Sequence, residues 1–313
     1  MPGRPVPQVG TVTTDGPRGR VRLGATDIFV SRLAWGMWRF HGDDLAHSRA
    51  LVEAAFEAGI NLFDTADIYG FNGHDGFGNA EILLGRLFAA DPGLRRRMVL
   101  ASKGGIIPGV PYDSSADYLI AACEASLRRL GTDHLDLFQV HRPDVLAHPA
   151  EVARTLETLV ASGKARSVGV SNYTPTQAAA LVAHLHIPLA SMQPEFSPLV
   201  LEPLADGTLD LAMQHGISVL AWSPLAGGRL ATPGDDVRAQ RVCAELDAQA
   251  ARCGVSRSAA AYSWSMAHPA GIIPIVGSQQ VHRIREAADA YRVAWSRADW
   301  YRVLVAARGE PLP

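Results

Sequence analysis

The sequence alternates regularly between short apolar runs and longer segments with helical periodicity, and few folds accommodate such a pattern. Most of the apolar runs are almost continuous, as expected for parallel strands that are covered on both faces. The longer segments repeat apolar residues at helical spacing, and several of them end at a glycine such as Gly59, Gly131 or Gly163. From Leu33 onward, eight such pairs of strand and helix follow one another.

This alternation predicts an α/β fold, a (β/α)8 TIM barrel, because consecutive βα units favour a parallel sheet surrounded by helices. Residues 21–24 and 28–30 come before the first unit and predict a short N-terminal β-hairpin. The predicted strands are 33–36, 61–64, 98–102, 135–140, 167–171, 189–193, 217–222 and 272–276. The predicted helices are 44–58, 79–89, 115–130, 150–161, 176–184, 203–214, 238–252, 256–267 and 281–290.

A doubly wound sheet is the alternative architecture with the same alternation of elements. Its dinucleotide fingerprint, Gly-x-Gly-x-x-Gly directly after the first strand, is absent from this sequence. No segment between the predicted elements has the composition of an interdomain linker, so we expect one barrel domain over residues 21–313. Residues 1–20 are rich in Pro, Gly and Thr and lack the apolar centre of a signal peptide, which predicts a flexible tail.

The composition argues against several classes of function. The formal net charge is −2 and the basic residues are dispersed, so the electrostatic pattern of a nucleic-acid-binding protein is missing. No apolar run reaches the length of about 18 residues that a membrane helix needs. Cys123, Cys243 and Cys253 lack metal-ligand spacing, which predicts no metal site and favours a reducing cytoplasm. We expect a small-molecule partner and a monomer rather than an obligate oligomer.

Four polar side chains follow three successive predicted strands. Asp64 and Tyr69 follow the second strand, Lys103 follows the third and His141 the fourth. Each residue type taken singly is more often packing or solvated surface, but the carboxyl ends of barrel strands meet at one mouth.

The chemistry of the four groups suits proton transfer. A phenol with a pKa of about 10 donates a proton poorly at neutral pH unless a cation stabilises its phenolate. Lys103 could supply that cation, and Asp64 could keep Lys103 charged and in place. His141 could orient a polar oxygen. The pattern therefore indicates a site that moves a proton to or from an oxygen.

The motifs at these positions resemble those of the aldo-keto reductases, and the similarity runs from about residue 20 to the C-terminus. Residues 64–70, Asp-Thr-Ala-Asp-Ile-Tyr-Gly, are similar to the family's signature after the second strand, and residues 163–172 resemble its fifth-strand motif. Residues 197–199 and 221–230 are most like those of the bacterial YdhF-type oxidoreductases. The resemblance implies reduction of an aldehyde or ketone to an alcohol by hydride transfer from NADPH. It makes Tyr69 the general acid, with Lys103 and Asp64 tuning its pKa and His141 orienting the carbonyl oxygen.

The resemblance also assigns residues to the cofactor, all of them at strand ends or in the loops that follow. Those for the nicotinamide carboxamide are Ser171, Asn172 and Gln193, and Trp222 is the aromatic residue that stacks on the nicotinamide ring. Those for the rest of the pocket are Gly36, Met37 and Trp38 as lining, Ser223, Leu225 and Gly227 at the pyrophosphate, Gly277 and Ser278 at the start of the last predicted helix, and Arg283 and Glu286 at the 2′-phosphate and adenine.

Plain structural roles stay open for three of these residues: Gln193 could cap a turn before Pro194, Trp222 could pack, and Arg283 could be a solvated helix residue. The family often has a Lys or Arg beside the serine of the last motif, whereas this chain has Gly277 and Gln279 there. The resemblance therefore implies a modest preference for NADPH, with NAD as the weaker alternative.

Two other functions fit part of the pattern. One is a non-catalytic regulatory subunit that keeps the barrel and the dinucleotide site, but the four intact polar residues argue against it. The other is a lyase that uses Lys103 as a Schiff-base nucleophile, which needs a lysine with a lowered pKa.

Trp38 and Trp300, read as apolar walls of the pocket, favour a partly apolar carbonyl substrate that is not a sugar.

Overall fold

The computed structural model describes residues 19–313 and shows a closed parallel barrel behind a short hairpin. The hairpin pairs β1 (Val21–Arg22) with β2 (Phe29–Val30) in antiparallel fashion. The barrel strands are β3 (Ala34–Gly36), β4 (Leu62–Asp64), β5 (Val99–Gly104), β6 (Leu137–Val140), β7 (Val168–Ser171), β8 (Leu189–Gln193), β9 (Ser218–Ala221) and β10 (Ile273–Val276). Each strand pairs in parallel with the next, and β10 pairs with β3 to close the ring. The predicted single-domain (β/α)8 barrel with its hairpin is confirmed.

The helices form the outer layer, and side-chain caps define where several of them begin. The side chains of Asp44, Ser115 and Ser256 each accept a backbone N–H of the first turn that has no partner within the helix. Within the described residues, no helix has the length and apolar character required to cross a membrane. The helices are α1 (Leu45–Glu57), α2 (Asn79–Ala90), α3 (Gly93–Arg97), α4 (Ala116–Leu130), α5 (Pro149–Ala161), α6 (Pro175–Val182), α7 (Thr208–His215), α8 (Val237–Cys253), α9 (Arg257–Met266), α10 (Val281–Glu286) and α11 (Arg297–Arg308).

Several predicted helix boundaries are wrong. The helix expected over 203–214 is a 3-10 turn, Glu202–Leu204, followed by α7, because Gly207 with φ of 92° takes a left-handed conformation between them. The helix expected over 281–290 ends at Glu286 and continues as a 3-10 segment. Helices α3 and α11 were not predicted from the sequence. The predicted tail lies outside the described residues, except for residues 19 and 20.

The lower half of the barrel interior is apolar, and the hairpin closes it. Leu23 and Val30 of the hairpin region pack with inward-facing strand residues such as Leu62 and Leu137 in one buried cluster. Gly24 lies so close to β8 that a Cβ atom would stand 2.5 Å from the carbonyl oxygen of Ala190. The hairpin is therefore a plug at the amino-terminal end of the barrel.

The upper half of the interior follows from strand alternation, because residues two apart point to the same side. Above Leu62, Ala101 and Leu137 in the apolar cluster, the same strands carry polar residues two positions later. At β8 the register shifts by one residue, since Val168 pairs with Leu189 while Gly169 pairs with Ser191. The inward-facing polar residues of the upper half therefore lie at the carboxyl ends of the strands. They are Asp64, Lys103, Gln139, Ser191 and Gln193.

Candidate active site

Lys103 is the centre of a buried hydrogen-bonded cluster at the carboxyl end of the barrel. Its side chain is 0% exposed, and its Nζ donates to Asp64 Oδ2 at 2.6 Å and to the backbone oxygen of Thr65 at 2.9 Å. The same Nζ lies 3.0 Å from the hydroxyl oxygen of Tyr69. The structure therefore brings three of the four predicted catalytic side chains into direct contact.

The protonation states in this cluster follow from burial and charge. Burial lowers the pKa of Lys103, but Asp64 and Tyr69 raise it by more, so the ammonium group stays charged. Burial raises the pKa of Tyr69, and Lys103 reduces this effect without cancelling it. At neutral pH the cluster therefore holds a charged lysine next to a protonated phenol, which can act as a proton donor.

His141 is buried beside Tyr69, and its imidazole ring centre is 5.8 Å from the phenol ring centre. Burial lowers the pKa of His141 well below its ordinary value, and Lys103 and Arg142 lower it further. The imidazole is therefore neutral, and its buried Nδ1 has no hydrogen-bond partner in the described residues. Trp38, which is 58% exposed, packs edge-on against Tyr69 on the outer side of the mouth.

The second carboxylate oxygen of Asp64 is held by two amides. Gln193 Nε2 donates to Asp64 Oδ1 at 2.9 Å, and Gln139 Nε2 approaches the same oxygen at 3.3 Å. Ser191 in turn donates to Gln139 Oε1 at 3.1 Å. The sequence reasoning missed Gln139 and Ser191, although each lies two positions before a predicted site residue and so points to the same side of its strand.

The residues predicted for the nicotinamide carboxamide lie together on neighbouring strands. Asn172 Nδ2 donates to Ser171 Oγ at 2.9 Å, and Asn172 Oδ1 accepts from Trp222 Nε1 at 2.9 Å. Ser171 Oγ donates to the backbone oxygen of Gln193 at 3.0 Å. Asn172 has a φ of 60°, so the backbone turns sharply where the strand ends. These polar side chains and one aromatic ring share the mouth with Tyr69 and His141.

The loop after β9 combines three left-handed backbone positions with an exposed glycine. Ser223, Ala226 and Gly227 all have positive φ, and the first two are not glycine. Ser223 Oγ accepts the N–H of Gly227 at 2.8 Å, and no atom lies within 4 Å of a Cβ built on Gly227. The N–H groups of Ala226 and Gly228 also donate within the loop, to the backbone oxygens of Ser223 and Leu225. Leu225 is half-buried behind the loop.

The loop after β10 contains Gly277 and Ser278. It leads into α10, which begins at Val281 as predicted from the sequence. Arg283 on that helix is exposed and has no acidic partner within the described residues, whereas Arg285 forms an ion pair with Glu57. Glu286, one turn on, is half-buried beside Arg283.

The residues after β3 connect this loop to the mouth. Gly36 accepts a hydrogen bond from Gln279 Nε2 at 3.2 Å, and Trp35 Nε1 donates to the backbone oxygen of Ser278 at 3.0 Å. Met37 is fully buried, and its N–H donates to the backbone oxygen of Asp64. Gly36 and Met37 therefore support the site from below, and of the three predicted lining residues Trp38 presents the most surface.

These groups fit an extended dinucleotide. An aromatic ring and amide groups lie at the catalytic end, open space lies beside Gly227 and Gly277, and the guanidinium of Arg283 is exposed. The buried Gln279 Oε1 between these regions has no partner in the described part of the chain. Within residues 19–313, no group of three or more His, Cys, Asp or Glu side chains is placed to hold a metal ion.

The comparisons with known proteins agree with this geometry. The aldo/keto reductase family model matches residues 32–304. A 6-dehydroglucose reductase of Novosphingobium aromaticivorans is 58% identical, over 93% of this chain and 96% of that protein. The oxidoreductase YdhF of Escherichia coli is 36% identical, over 94% of this chain and 99% of that protein. A crystal structure of a thermostable aldo-keto reductase with the inhibitor epalrestat has the same fold, with a TM-score of 0.79, 22% identity and coverage of 92% and 99%.

The chain therefore belongs to the aldo/keto reductase family, and the resemblance drawn from its motifs is confirmed. The family consists of oxidoreductases that act on small-molecule carbonyl groups and use a nicotinamide cofactor.

Proposed function

We propose that this aldo-keto reductase reduces an aldehyde to an alcohol with NADPH, and that Tyr69 is its general acid. The observation that carries the proposal is the contact of one buried ammonium, Lys103 Nζ, with both Asp64 and the hydroxyl of Tyr69. This arrangement places a proton donor and a positive charge at the mouth of the barrel, where TIM-barrel enzymes have their active sites.

Each of the four side chains has a separate role in the transfer of the proton. The bound cofactor supplies the hydride that reaches the carbonyl carbon. Tyr69 donates its proton to the carbonyl oxygen, and Lys103 stabilises the phenolate that this donation leaves. Asp64 keeps Lys103 charged, because a buried ammonium without a counterion is strongly disfavoured. The neutral imidazole of His141 orients the carbonyl oxygen towards the phenol.

The cofactor would lie from the mouth across the loop after β9 to α10. Ser171, Asn172 and Gln193 would hold the carboxamide, and Trp222 would stack on the nicotinamide. The open space beside Gly227 leaves room for the pyrophosphate. Arg283 would meet the 2′-phosphate of NADPH as its single cation, since Gly277 and Gln279 provide none. We therefore propose a modest preference for NADPH over NADH.

For the substrate we propose the sugar aldehyde 6-dehydroglucose, whose reduction at the aldehyde gives glucose. Its support is the 58% identity to a 6-dehydroglucose reductase over almost the whole of both chains. Polar groups also surround the mouth: half-buried Arg142 is near enough to His141 and Glu195 to affect the pKa of both. A guanidinium and a carboxylate are suitable partners for sugar hydroxyls.

The expectation of a partly apolar, non-sugar substrate depends in part on Trp300. Trp300 stacks on Trp264 with ring centres 4.6 Å apart, and so it belongs to the packing of α11 on α9 rather than to the mouth. Trp38 beside Tyr69 is the wall that remains, and one exposed aromatic face is compatible with a sugar ring.

The test compares 6-dehydroglucose with an apolar aldehyde of similar size, following oxidation of NADPH by its absorbance. We expect a higher kcat/KM for the sugar aldehyde in the wild type. Arg142→Ala should raise the KM for the sugar by about tenfold, as expected for one lost hydrogen bond to a charged group, and leave the apolar aldehyde nearly unchanged. Equal kcat/KM values for the two aldehydes would reject the sugar proposal, and no turnover of either would reject the reductase proposal.

Neither rival function has support of this kind. A Schiff-base lyase needs a lysine with a lowered pKa, whereas Asp64 and Tyr69 raise the pKa of Lys103 above its ordinary value. A regulatory subunit would need none of the contacts among Asp64, Tyr69 and Lys103.

A further inference from the structure

Gln139 sits beneath the catalytic cluster with all its side-chain contacts inside the barrel. It is fully buried on β6, and its Nε2 lies 3.3 Å from Asp64 Oδ1. Its Oε1 accepts from Ser191 at 3.1 Å and lies 3.5 Å from Gln193 Nε2. Within the described residues, the side chain of Gln139 forms no hydrogen bond with Tyr69 or His141. It reaches the reacting groups through Asp64, and its longer contact with Gln193 is the weaker of the two.

The strand between Gln139 and Ser191 leaves room for their contact. Gly169 on β7 lies between them, and a Cβ at this position would stand 3.2 Å from Gln139 Cγ and far too close to Ser191 Oγ. The register shift at Ala190 accompanies the inward orientation of Ser191 and Gln193. The absence of a side chain at Gly169 therefore permits a polar bridge across three strands.

The chemistry of the groups fixes the direction of each hydrogen bond. An ionised carboxylate can only accept, so Gln139 must turn its NH2 towards Asp64. The Ser191 hydroxyl donates to Oε1 of the same amide, and this hydrogen bond keeps the NH2 group of Gln139 turned towards Asp64. A buried ion pair stabilises its surroundings only when the remaining lone pairs of its carboxylate are also satisfied. With Gln139 and Gln193 on Oδ1, the Asp64 carboxylate presents Oδ2 to Lys103.

We propose that Gln139, oriented by Ser191, is a positioning residue that holds Asp64 against Lys103 and so acts on the proton donor Tyr69. The proposal rests on the reductase function proposed above. It predicts that removal of the Gln139 amide weakens the Asp64–Lys103 contact, makes Lys103 less cationic and raises the pKa of Tyr69.

The kinetic test uses Gln139→Leu, which keeps most of the volume and removes the donor. We expect a fall in kcat of about tenfold, the effect of one lost hydrogen bond to a charged group, with NADPH affinity nearly unchanged. The alkaline limb of the pH profile should move to higher pH. In a Tyr69→Phe background the same substitution should have almost no effect, because the group on which it acts is gone. If Gln139→Leu lowered kcat by the same factor with and without the Tyr69 hydroxyl, its effect would be a general disturbance of the structure, and the proposal would be overturned.

A second readout is independent of activity. The chain has only two lysines, Lys103 and Lys164. Carbon-13 labelling of lysine therefore gives two side-chain signals, which Lys164→Arg assigns. We expect the pKa of Lys103 to be lower in Gln139→Leu than in the wild type. An unchanged titration of Lys103 in Gln139→Leu would overturn the positioning role of Gln139, whether or not the wild type is active. Failure of the wild type to reduce any carbonyl compound would reject only the reductase function.

Two further variants separate positioning from folding. Ser191→Ala removes only the hydroxyl that orients the amide, and it should lower kcat by a smaller factor, about threefold, in the same direction. Gln249→Leu is the matched control, because Gln249 is also a buried glutamine but donates to the backbone oxygen of Ala294 in the helical layer. This control should lose stability without moving the pH profile or the titration of Lys103. If it moved both, the proposal would fail.

Discussion

The two halves of the barrel interior are built from the same strands but have opposite chemistry. The lower half packs Leu23, Leu62, Ala101 and Leu137 into an apolar layer beneath which the hairpin lies. The upper half contains a buried ion pair, with two amides on its carboxylate and a phenol on its ammonium group. Alternation along a strand can thus place a reactive layer directly above an apolar layer that stabilises the fold, with only one residue of each strand between them.

The polar layer is energetically demanding. A buried charge is tolerated only with close partners, and breaking a buried pair by removal of one partner typically costs about 3–5 kcal/mol. Lys103 has three partners and Asp64 has donors on both oxygens. We therefore expect substitutions in the upper half to change chemistry, and substitutions in the lower half to change stability alone.

The largest expected effect is that of Lys103→Met. Without the ammonium, Tyr69 loses the cation that lowers its pKa, so kcat for carbonyl reduction should fall by about 10²-fold or more, within the range of general acid catalysis. Stopped-flow absorbance of NADPH measures this loss, and a separate titration of NADPH should show little change in affinity. If Lys103→Met kept most of the wild-type kcat, the polar upper half would not be the part of the barrel that carries the chemistry.

Leu23→Ala tests the lower half. Leu23 is fully buried in the plug, and replacement of a buried leucine by alanine costs about 2–5 kcal/mol. Urea unfolding should show this loss, while kcat at a temperature where the variant is folded stays within about twofold of the wild type. A large fall in kcat with normal stability would show that the hairpin contributes to the chemistry.

Arg283→Ala tests the far end of the proposed cofactor groove. One guanidinium–phosphate contact contributes about 1.5–3 kcal/mol, so NADPH affinity should fall by roughly ten- to a hundredfold and NADH affinity should barely change. Added salt should narrow the wild-type preference, because the contact is exposed. Equal weakening of both cofactors would make Arg283 a structural residue.

The smallest expected effect concerns Asp67, a buried carboxyl beside the cluster with no hydrogen-bond partner for either oxygen within the described residues. Burial raises the pKa of Asp67 well above its ordinary value, and the charge of Glu81 raises it further. The folded state therefore holds a proton that the unfolded chain releases above a pH of about 4, so this group's contribution to stability falls as pH rises towards the folded pKa.

Asp67→Asn removes that dependence, because an amide does not titrate in this range. The variant should gain about 1 kcal/mol or more over the wild type at neutral pH and little at acidic pH. Urea unfolding at several pH values measures the difference, with the exposed Asp117→Asn as control. A difference that does not vary with pH would mean that the Asp67 pKa is not raised.

Most of the fold and the centre of the site could be predicted because they depend on local patterns. Strand alternation and glycine stops predicted every barrel strand, and the topology then required Asp64, Lys103 and His141 to meet at one mouth. The contact between Lys103 and Tyr69 follows from the turn after β4, which brings Tyr69 back over the strand ends.

The rest depends on contacts between distant segments. Gln139 and Ser191 looked like ordinary strand residues, and only the packing across Gly169 shows that they face each other. A register shift at Ala190 is likewise invisible in the apolar pattern. The residue type of Trp300 favours a place in the pocket wall, but stacking on Trp264 fixes this ring in the helical layer.

The most direct test of the upper layer as a proton-donating site is the rate of hydride transfer in a single turnover of Tyr69→Phe. The variant keeps the ring and removes only the hydroxyl that Lys103 contacts. We predict a fall of about 10²-fold or more in the rate of NADPH oxidation with excess aldehyde, at unchanged NADPH affinity. A rate above about a third of the wild-type value, with chemistry still rate-limiting, would contradict the assignment of Tyr69 as the general acid.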